Sequence, residues 1–212
     1  MSVLDPERER PLSVVVVATD EASLSSAVTL QQLLMERCGG AGGWTVVADQ
    51  NRGSDVLILV GQAAGAAQVI RQWAAAFGGE ARPSTGAGAG KKMLVSAIGG
   101  LRLTDLRASA GPGPICCRAT LGSRALAKAG FMLATIEPEV PEQQRDLCLD
   151  LLRCLGEVEV VSEETFELAE ALISAIPGLL CEVLLGMEEG AVETGLPSHV
   201  ARPLLRQTLL AT

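Results

Sequence analysis

Aromatic side chains are scarce in this chain of 212 residues, which contains two Trp, three Phe and no Tyr. Proteins that bind nucleic acid stack exposed bases on aromatic rings and hold the phosphate backbone with Lys and Arg. Here 25 acidic residues outnumber 17 basic ones, giving a formal net charge of −8. The composition therefore argues against nucleic acid as a partner, and the core must be built largely from aliphatic side chains.

Metal ligands are equally few. His199 is the only histidine, and no two cysteines have the Cys-x-x-Cys spacing. The six cysteines are Cys38, Cys116, Cys117, Cys148, Cys154 and Cys181. A structural zinc site needs four convergent ligands, usually in close pairs. We therefore predict no metal site and interpret the cysteines as buried free thiols in a reducing compartment.

The sequence also has little that would direct it to a membrane. The N-terminal stretch MSVLDPERERPL contains no apolar core of the kind a signal peptide has. No apolar run reaches the roughly 18 to 20 residues that a membrane span needs. We expect a cytoplasmic protein with no membrane partner.

The first part of the chain alternates strand-like and helix-like segments. Short, β-branched apolar runs are typical of buried parallel strands. They occur at 12–18, 44–48, 56–60 and 93–97, with further candidate strands at 114–119, 131–136 and 157–162. Segments with helical spacing separate them, so we predict a Rossmann-like α/β domain with a doubly wound sheet over residues 1–161. The Gly-rich segment 78–92 follows a helix rather than a strand, so we interpret it as a surface loop and not as a nucleotide motif.

After residue 161 the pattern is entirely helical, and we predict an all-helical dimerisation domain over 162–212. Helices are expected at 163–176, at 177–195 with Pro177 in the first turn, and at 196–212. The acidic segment 137–193 is interpreted as a solvated helical surface. A homodimer is predicted because the apolar side chains of this region exceed what a small domain can bury alone. They are Leu179, Leu180, Val183, Leu184, Met187, Val192, Leu204, Leu205 and Leu209.

Three stretches together resemble the pyrroline-5-carboxylate reductases. SDVLILVGQ, followed by a helix and then by KKMLVSAIGGLRLTDL, is similar to two strand–helix steps of that family's nucleotide domain. EEGAVETGLP, late in the helical region, is the most specific match, and HVARPLLRQTLLAT continues with the corresponding helix. The resemblance implies a Rossmann-like nucleotide domain followed by a helical dimerisation domain.

The positions that would contact the cofactor depart from that family. Its first strand leads into G-x-G-x-x, where missing side chains let pyrophosphate approach the helix N-terminus. This chain has Ala18, Thr19 and Asp20 there. A carboxylate would compete with phosphate for the same N–H groups, so we expect Thr19 or Asp20 to cap the helix and Glu21 to suit its dipole. We predict no cofactor, with NADPH and NADH disfavoured.

The substrate positions depart as well. By the same resemblance, Arg118 is kept from the loop beside the nicotinamide, whereas Gly122 and Arg124 differ from it. Glu170 stands where a threonine would contact the ring nitrogen, and Ser174 is the hydroxyl left in the substrate turn. We take Glu170 as the candidate catalytic acid or base, and Arg118, Arg124 and Ser174 as candidate ligands of a small molecule. The alternatives are surface arginines, an exposed helix carboxylate and a local capping bond.

Three functions remain open. The first is a repurposed relative that acts without a cofactor on a cyclic imine or an amino-acid-derived intermediate. The second is a non-catalytic dimeric scaffold, or a regulatory partner of an intact reductase. The third is an NAD(P)-dependent imine reductase. The altered glycine and hydroxyl contacts, set against a retained apolar framework, favour the first and leave the third least supported.

Overall fold

The computed structural model describes residues 12–38, 44–46, 54–76, 92–120 and 130–211. These residues form an α/β unit followed by two long helices, which confirms the predicted fold class. The predicted loop at 78–92, apart from its last residue, lies outside the described residues.

One sheet of seven strands organises the described α/β unit. Its strands are β1 (Leu12–Ala18), β2 (Trp44–Val46), β3 (Val56–Val60), β4 (Met93–Ser96), β5 (Ile115–Ala119), β6 (Gly130–Ile136) and β7 (Gly156–Val160). Their order across the sheet is β2-β1-β3-β4-β5-β6-β7. The first five run parallel, β6 is antiparallel to β5, and β7 is parallel to β6. Each predicted strand corresponds to one of these seven.

Helices follow the strands in sequence. They are α1 (Leu24–Cys38), α2 (Ala66–Ala75), α3 (Leu103–Ala110), α4 (Glu142–Arg153), α5 (Glu163–Glu193) and α6 (Ser198–Ala211). A single 3₁₀ turn, Glu21–Ser23, precedes α1.

Both faces of the sheet are buried, which explains why the strands read as continuous apolar runs. Side chains alternate along a strand, so Val14 and Val16 of β1 enter one core while Val15 and Val17 enter the other. Helices α1 and α4 complete the first core, and α2 and α3 complete the second. This doubly wound arrangement brings the carboxyl ends of the parallel strands to a single edge.

Helix α5 differs from the prediction, because it runs for 31 residues without a break. Proline lacks an N–H group and removes one helical hydrogen bond, so the sequence favoured two helices meeting at Pro177. The structure continues through Pro177, between flanking turns that are rich in strong helix formers such as Leu, Ala and Glu.

The continuous α5 is long and apolar enough to cross a membrane by length and composition alone. An 18-residue window within it has a mean hydropathy of 1.9, and none of that window is buried. The expectation that no segment reaches this length was therefore wrong, since it treated α5 as two shorter helices. Core helices of soluble proteins also meet these criteria of length and composition. The result therefore shows that α5 has an exposed apolar surface, and it does not show what covers that surface.

The chain divides into two compact units, residues 1–167 and 168–212. The predicted domain boundary, between 161 and 162, precedes α5, whereas this division falls inside that helix. Within the second unit, the Glu188 carboxylate of α5 accepts hydrogen bonds from the Ser198 hydroxyl at 2.8 Å and from Arg202 Nε at 3.1 Å. These bonds tie α5 to the first turns of α6.

Candidate functional site

The carboxyl ends of β1, β3, β4 and β5 meet at one edge of the sheet because these strands are parallel. Open α/β sheets bind their ligands at this edge. Four residues follow two neighbouring strands there, Thr19 and Asp20 after β1 and Gly61 and Gln62 after β3. We call these four residues the turn cluster.

Asp20 is the centre of the turn cluster. Its Oδ1 accepts hydrogen bonds from the N–H and the hydroxyl of Ser23, both at 3.0 Å, and its Oδ2 accepts the Gln62 N–H at 3.0 Å. Desolvation raises the pKa of Asp20, but the hydrogen bonds from Ser23, Gln62 and Thr19 together outweigh it and hold that pKa below its ordinary value. Asp20 is therefore an ionised cap of the 3₁₀ turn, and Glu21 lies in that first turn, as predicted.

Gly61 allows β3 to end close against this turn. Its φ is +122°, and a Cβ atom there would lie 2.4 Å from Thr19 Oγ1 and 2.5 Å from Asp20 Oδ2. The Thr19 hydroxyl donates to the Gln62 carbonyl at 2.8 Å, while the Thr19 N–H donates to the Val60 carbonyl at 3.0 Å. The chain's own side chains thus fill the space between the two strand ends.

Arg118, near the end of β5, is a further charged residue at this edge. Only 1% of its side chain is exposed, and its Nη1 donates to Glu163 Oε1 at 2.5 Å. Glu167 Oε1 lies 3.8 Å from the same nitrogen, and the guanidinium carbon lies 4.5 Å from the centre of the Phe166 ring. A buried guanidinium is stabilised by such counter-charges and by the aromatic face.

The same carboxylates hold the start of α3. Arg102 donates to both oxygens of Glu167, at 3.0 and 3.1 Å, and the Leu103 N–H donates to Glu163 at 3.2 Å. We call Arg102, Arg118, Glu163 and Glu167 the charge cluster. Its acids were interpreted as solvated; both are paired with arginine, while 31% of the Glu163 side chain and 39% of the Glu167 side chain remain exposed. Their spacing of four residues could have shown that they share a helix face.

No protein-family model and no curated protein matches this chain. Solved structures do match it. A pyrroline carboxylate reductase from Plasmodium falciparum with NADP bound has a TM-score of 0.70 at 13% identity, over 96% of this chain and 77% of that one. A pyrroline-5-carboxylate reductase from Coxiella burnetii has a TM-score of 0.74 at 17% identity, over 93% and 77%. The Streptococcus pyogenes enzyme has a TM-score of 0.64 at 15% identity, over 95% and 78%.

The chain has the pyrroline-5-carboxylate reductase fold. The resemblance inferred from short motifs is thereby confirmed at the level of the fold. Identities of 13 to 17% leave the chemistry to be argued from the chain's own residues.

A dinucleotide can be tested against the turn cluster. In Rossmann-type domains of the reductase fold, pyrophosphate is expected at the N-terminus of the helix that follows the first strand. Here the N–H groups of Ser23 and Gln62 donate to the Asp20 carboxylate, which is itself an anion. A phosphate would have to displace this carboxylate and would be repelled by it. The turn cluster does not fit a pyrophosphate.

The structure describes three of the four predicted site residues, and these three lie in different environments. Arg118 is buried against Glu163, whereas Arg124 lies outside the described residues. On α5, Glu170 is half-buried and Ser174 is exposed. Their predicted roles in catalysis and substrate binding stay predictions.

Within the described ranges no three His, Cys, Asp or Glu side chains are grouped so as to hold a metal ion. The expectation of buried cysteines is wrong for Cys181, which is exposed, whereas Cys116 and Cys117 are buried and offer little nucleophilic chemistry. Burial raises the pKa of the Cys116 thiol to about 12, with Glu137 adding to the effect and Arg107 opposing it. A hydrogen bond with Cys148 and complete burial raise the pKa of Cys117 well above its usual value. Both thiols therefore stay protonated at neutral pH.

We expect iodoacetamide to modify Cys181, which is exposed, at least 100-fold faster than Cys116 or Cys117 in the folded protein at pH 8. Peptide mass spectrometry measures each rate, and the same reaction in guanidinium chloride is the control in which the rates should converge. Comparable rates in the folded protein would contradict the burial.

The raised pKa of Cys116 also makes the free energy of unfolding depend on pH. The contribution of Cys116 to that free energy is full below pH 9 and is lost as the pH rises towards 12, because in this range the thiol ionises in the unfolded chain but not in the folded one.

Proposed function

We propose that this chain is a non-catalytic, dimeric protein of the cytoplasm that uses the pyrroline-5-carboxylate reductase fold as a scaffold or as a regulatory partner of an intact reductase. The observation that carries this proposal is the Asp20 carboxylate in the turn cluster. It accepts the N–H groups of Ser23, at the start of the first helical segment, and of Gln62, at 3.0 Å each, and its charge would repel a phosphate there. Without a bound nicotinamide dinucleotide, the chain has no hydride donor for reducing an imine.

The charge cluster supports the same proposal. A site for an anionic substrate needs a cation whose charge is available to the ligand. The Arg118 guanidinium is 1% exposed and lies 2.5 Å from the chain's own Glu163 carboxylate. An incoming carboxylate would have to displace that partner and would meet Glu167 as well.

The second unit supports a dimer. Five large apolar residues on one side of α5, at helical spacings of four and seven, are each 53 to 77% exposed. We call them the apolar stripe: Leu168, Leu172, Leu179, Val183 and Met187. Monomers rarely expose a continuous apolar patch of more than a few hundred Å². A second copy, or a chain with the same helical unit, would cover it.

Cofactor-independent catalysis is the competing function. Glu170 is half-buried on α5, and a general acid or base is often a partly buried carboxylate. We place this function second because its remaining predicted ligands, Arg118 and Ser174, are respectively paired with a carboxylate and exposed.

Titration calorimetry with NADPH and NADH tests the proposal. We expect no saturable heat from the wild-type chain up to about 1 mM nucleotide, because phosphate meets the Asp20 carboxylate. A reductase of the same fold, run in the same buffer, is the positive control. Binding of either nucleotide at micromolar affinity would overturn the proposal and favour an NAD(P)-dependent reductase.

Two matched variants separate the Asp20 carboxylate from general charge. Asp20→Gly and Glu21→Gln each remove one negative charge from the same turn, but only the first releases the N–H groups of Ser23 and Gln62. We expect Asp20→Gly to gain weak NADPH binding, with a Kd on the order of 1 mM, and Glu21→Gln to gain none. Equal gains would show that net charge, rather than the occupied donors, excludes the nucleotide.

A further inference from the structure

A separate cavity lies at the opposite edge of the sheet, where β5 begins and β6 ends. It has a volume of about 120 Å³, enough for a few water molecules or one small ring. The end of α3, the loop before β5, the segment after β6 and the first turn of α4 line it, and it is open to solvent on one side. The side chains used below line it: Arg107, Pro112, Ile115, Glu137, Pro141 and Gln144.

An ion pair forms the polar wall of this cavity. Arg107 Nε donates to Glu137 Oε1 at 2.8 Å, Arg107 Nη2 bonds to the other oxygen of Glu137, and Arg107 Nη1 donates to the Gly111 carbonyl at 2.7 Å. Glu137 also accepts the Cys116 N–H at 3.2 Å, so it ends the pairing of β5 with β6. A guanidinium has five N–H groups, which leaves two of Arg107 for a ligand.

Gln144 supplies the second polar group. It lies in the first turn of α4 and is only 7% exposed. Within the described residues its side-chain amide makes no hydrogen bond. The atoms of this amide are not among the fully buried, unbonded polar atoms of the described residues, so they are accessible to solvent. With two N–H donors and one carbonyl acceptor, the amide lines the cavity and is available to a ligand there.

We propose that this cavity binds a small neutral molecule that carries an amide group, such as a lactam. A neutral ligand avoids charge repulsion here, because an anion would meet Glu137 and Glu139 and a cation would meet Arg107. The Gln144 amide can exchange a pair of hydrogen bonds with a ligand amide, and Arg107 can donate to its carbonyl. Pro112, Ile115 and Pro141 provide apolar contacts for a saturated ring.

NMR titration of the uniformly ¹⁵N-labelled full chain with 2-piperidone tests the proposal. We expect a saturable shift of the Gln144 side-chain amide resonance, with a Kd of about 1 to 10 mM, the range that so small a ligand allows. Gln144→Met removes the amide while keeping the apolar volume and should weaken binding at least tenfold. Gln143→Met, the same change at the exposed neighbour, should leave the Kd unchanged.

Two analogues test the chemistry of the ligand. Cyclohexanone lacks the N–H donor and piperidinium carries a positive charge, so each should bind at least fivefold more weakly than 2-piperidone. A cavity that holds water only would give no saturable shift with any of the three, and that result would overturn the proposal. Equal binding of all three, or unchanged binding to a folded Gln144→Met variant, would overturn it as well.

Discussion

Replacing Glu163 with Gln is expected to lower the free energy of unfolding by about 3 kcal/mol. Glu163 Oε1 lies 2.5 Å from Arg118 Nη1, and the Arg118 side chain is 1% exposed. Removing one partner of a buried ion pair typically costs about 3 to 5 kcal/mol, because the other charge loses its counter-charge in a medium of low polarity. The lower end applies here, since Glu163 itself is 31% exposed and Glu167 lies 3.8 Å from the guanidinium.

Replacing Arg118 with Met should lower the free energy of unfolding less than Glu163→Gln does. Arg118→Met removes the buried charge and leaves an apolar side chain against Phe166, while the released Glu163 carboxylate can be hydrated. We expect the free energy of unfolding of Arg118→Met to fall by about 1 kcal/mol. The double variant that combines it with Glu163→Gln should be about as stable as Arg118→Met alone. Urea unfolding followed by circular dichroism measures each value, with Glu164→Gln as the exposed control within about 0.5 kcal/mol of wild type. An Arg118→Met variant at least as unstable as Glu163→Gln would contradict this asymmetry.

The fold could be predicted from the sequence because its signals are local. Strands buried on both faces read as short β-branched runs, and β1 and β3 have the predicted bounds, 12–18 and 56–60. Pro177 misled the prediction, because a proline that removes one hydrogen bond need not end a helix whose neighbouring turns favour continuation. The consequence was an underestimate of the apolar length of α5.

The candidate site could be predicted only where its chemistry is local. The Asp20 cap joins residues three apart, so the residue type and its place after a strand were sufficient. The partner of Arg118 lies 45 positions away on another element, and no spacing rule connects them. Gln144 was missed for the same reason, because no sequence pattern shows that its side chain lines a cavity formed by distant segments.

A charge in the apolar stripe should convert the dimer into a monomer. In a twofold dimer each residue occurs twice at the interface, so Leu179→Glu or Val183→Glu removes two buried apolar side chains. At about 1.5 to 3 kcal/mol per side chain the loss is about 3 to 6 kcal/mol, which weakens association by about 150- to 20,000-fold. Burying the two new carboxylates adds to this loss. Sedimentation velocity at micromolar concentration measures the change.

Ser174→Glu is the matched control for this experiment. Ser174 is exposed on α5 but lies two residues from Leu172, about 200° around the helix axis, and therefore on the side opposite the apolar stripe. The Ser174→Glu substitution adds the same charge to the same helix and should leave the dimer intact. A stable wild-type monomer would contradict the proposed dimer, and so would equal dissociation by all three variants. If the wild-type chain instead partitions into lipid vesicles and Leu179→Glu abolishes that binding, the stripe serves a membrane surface and the dimer proposal fails.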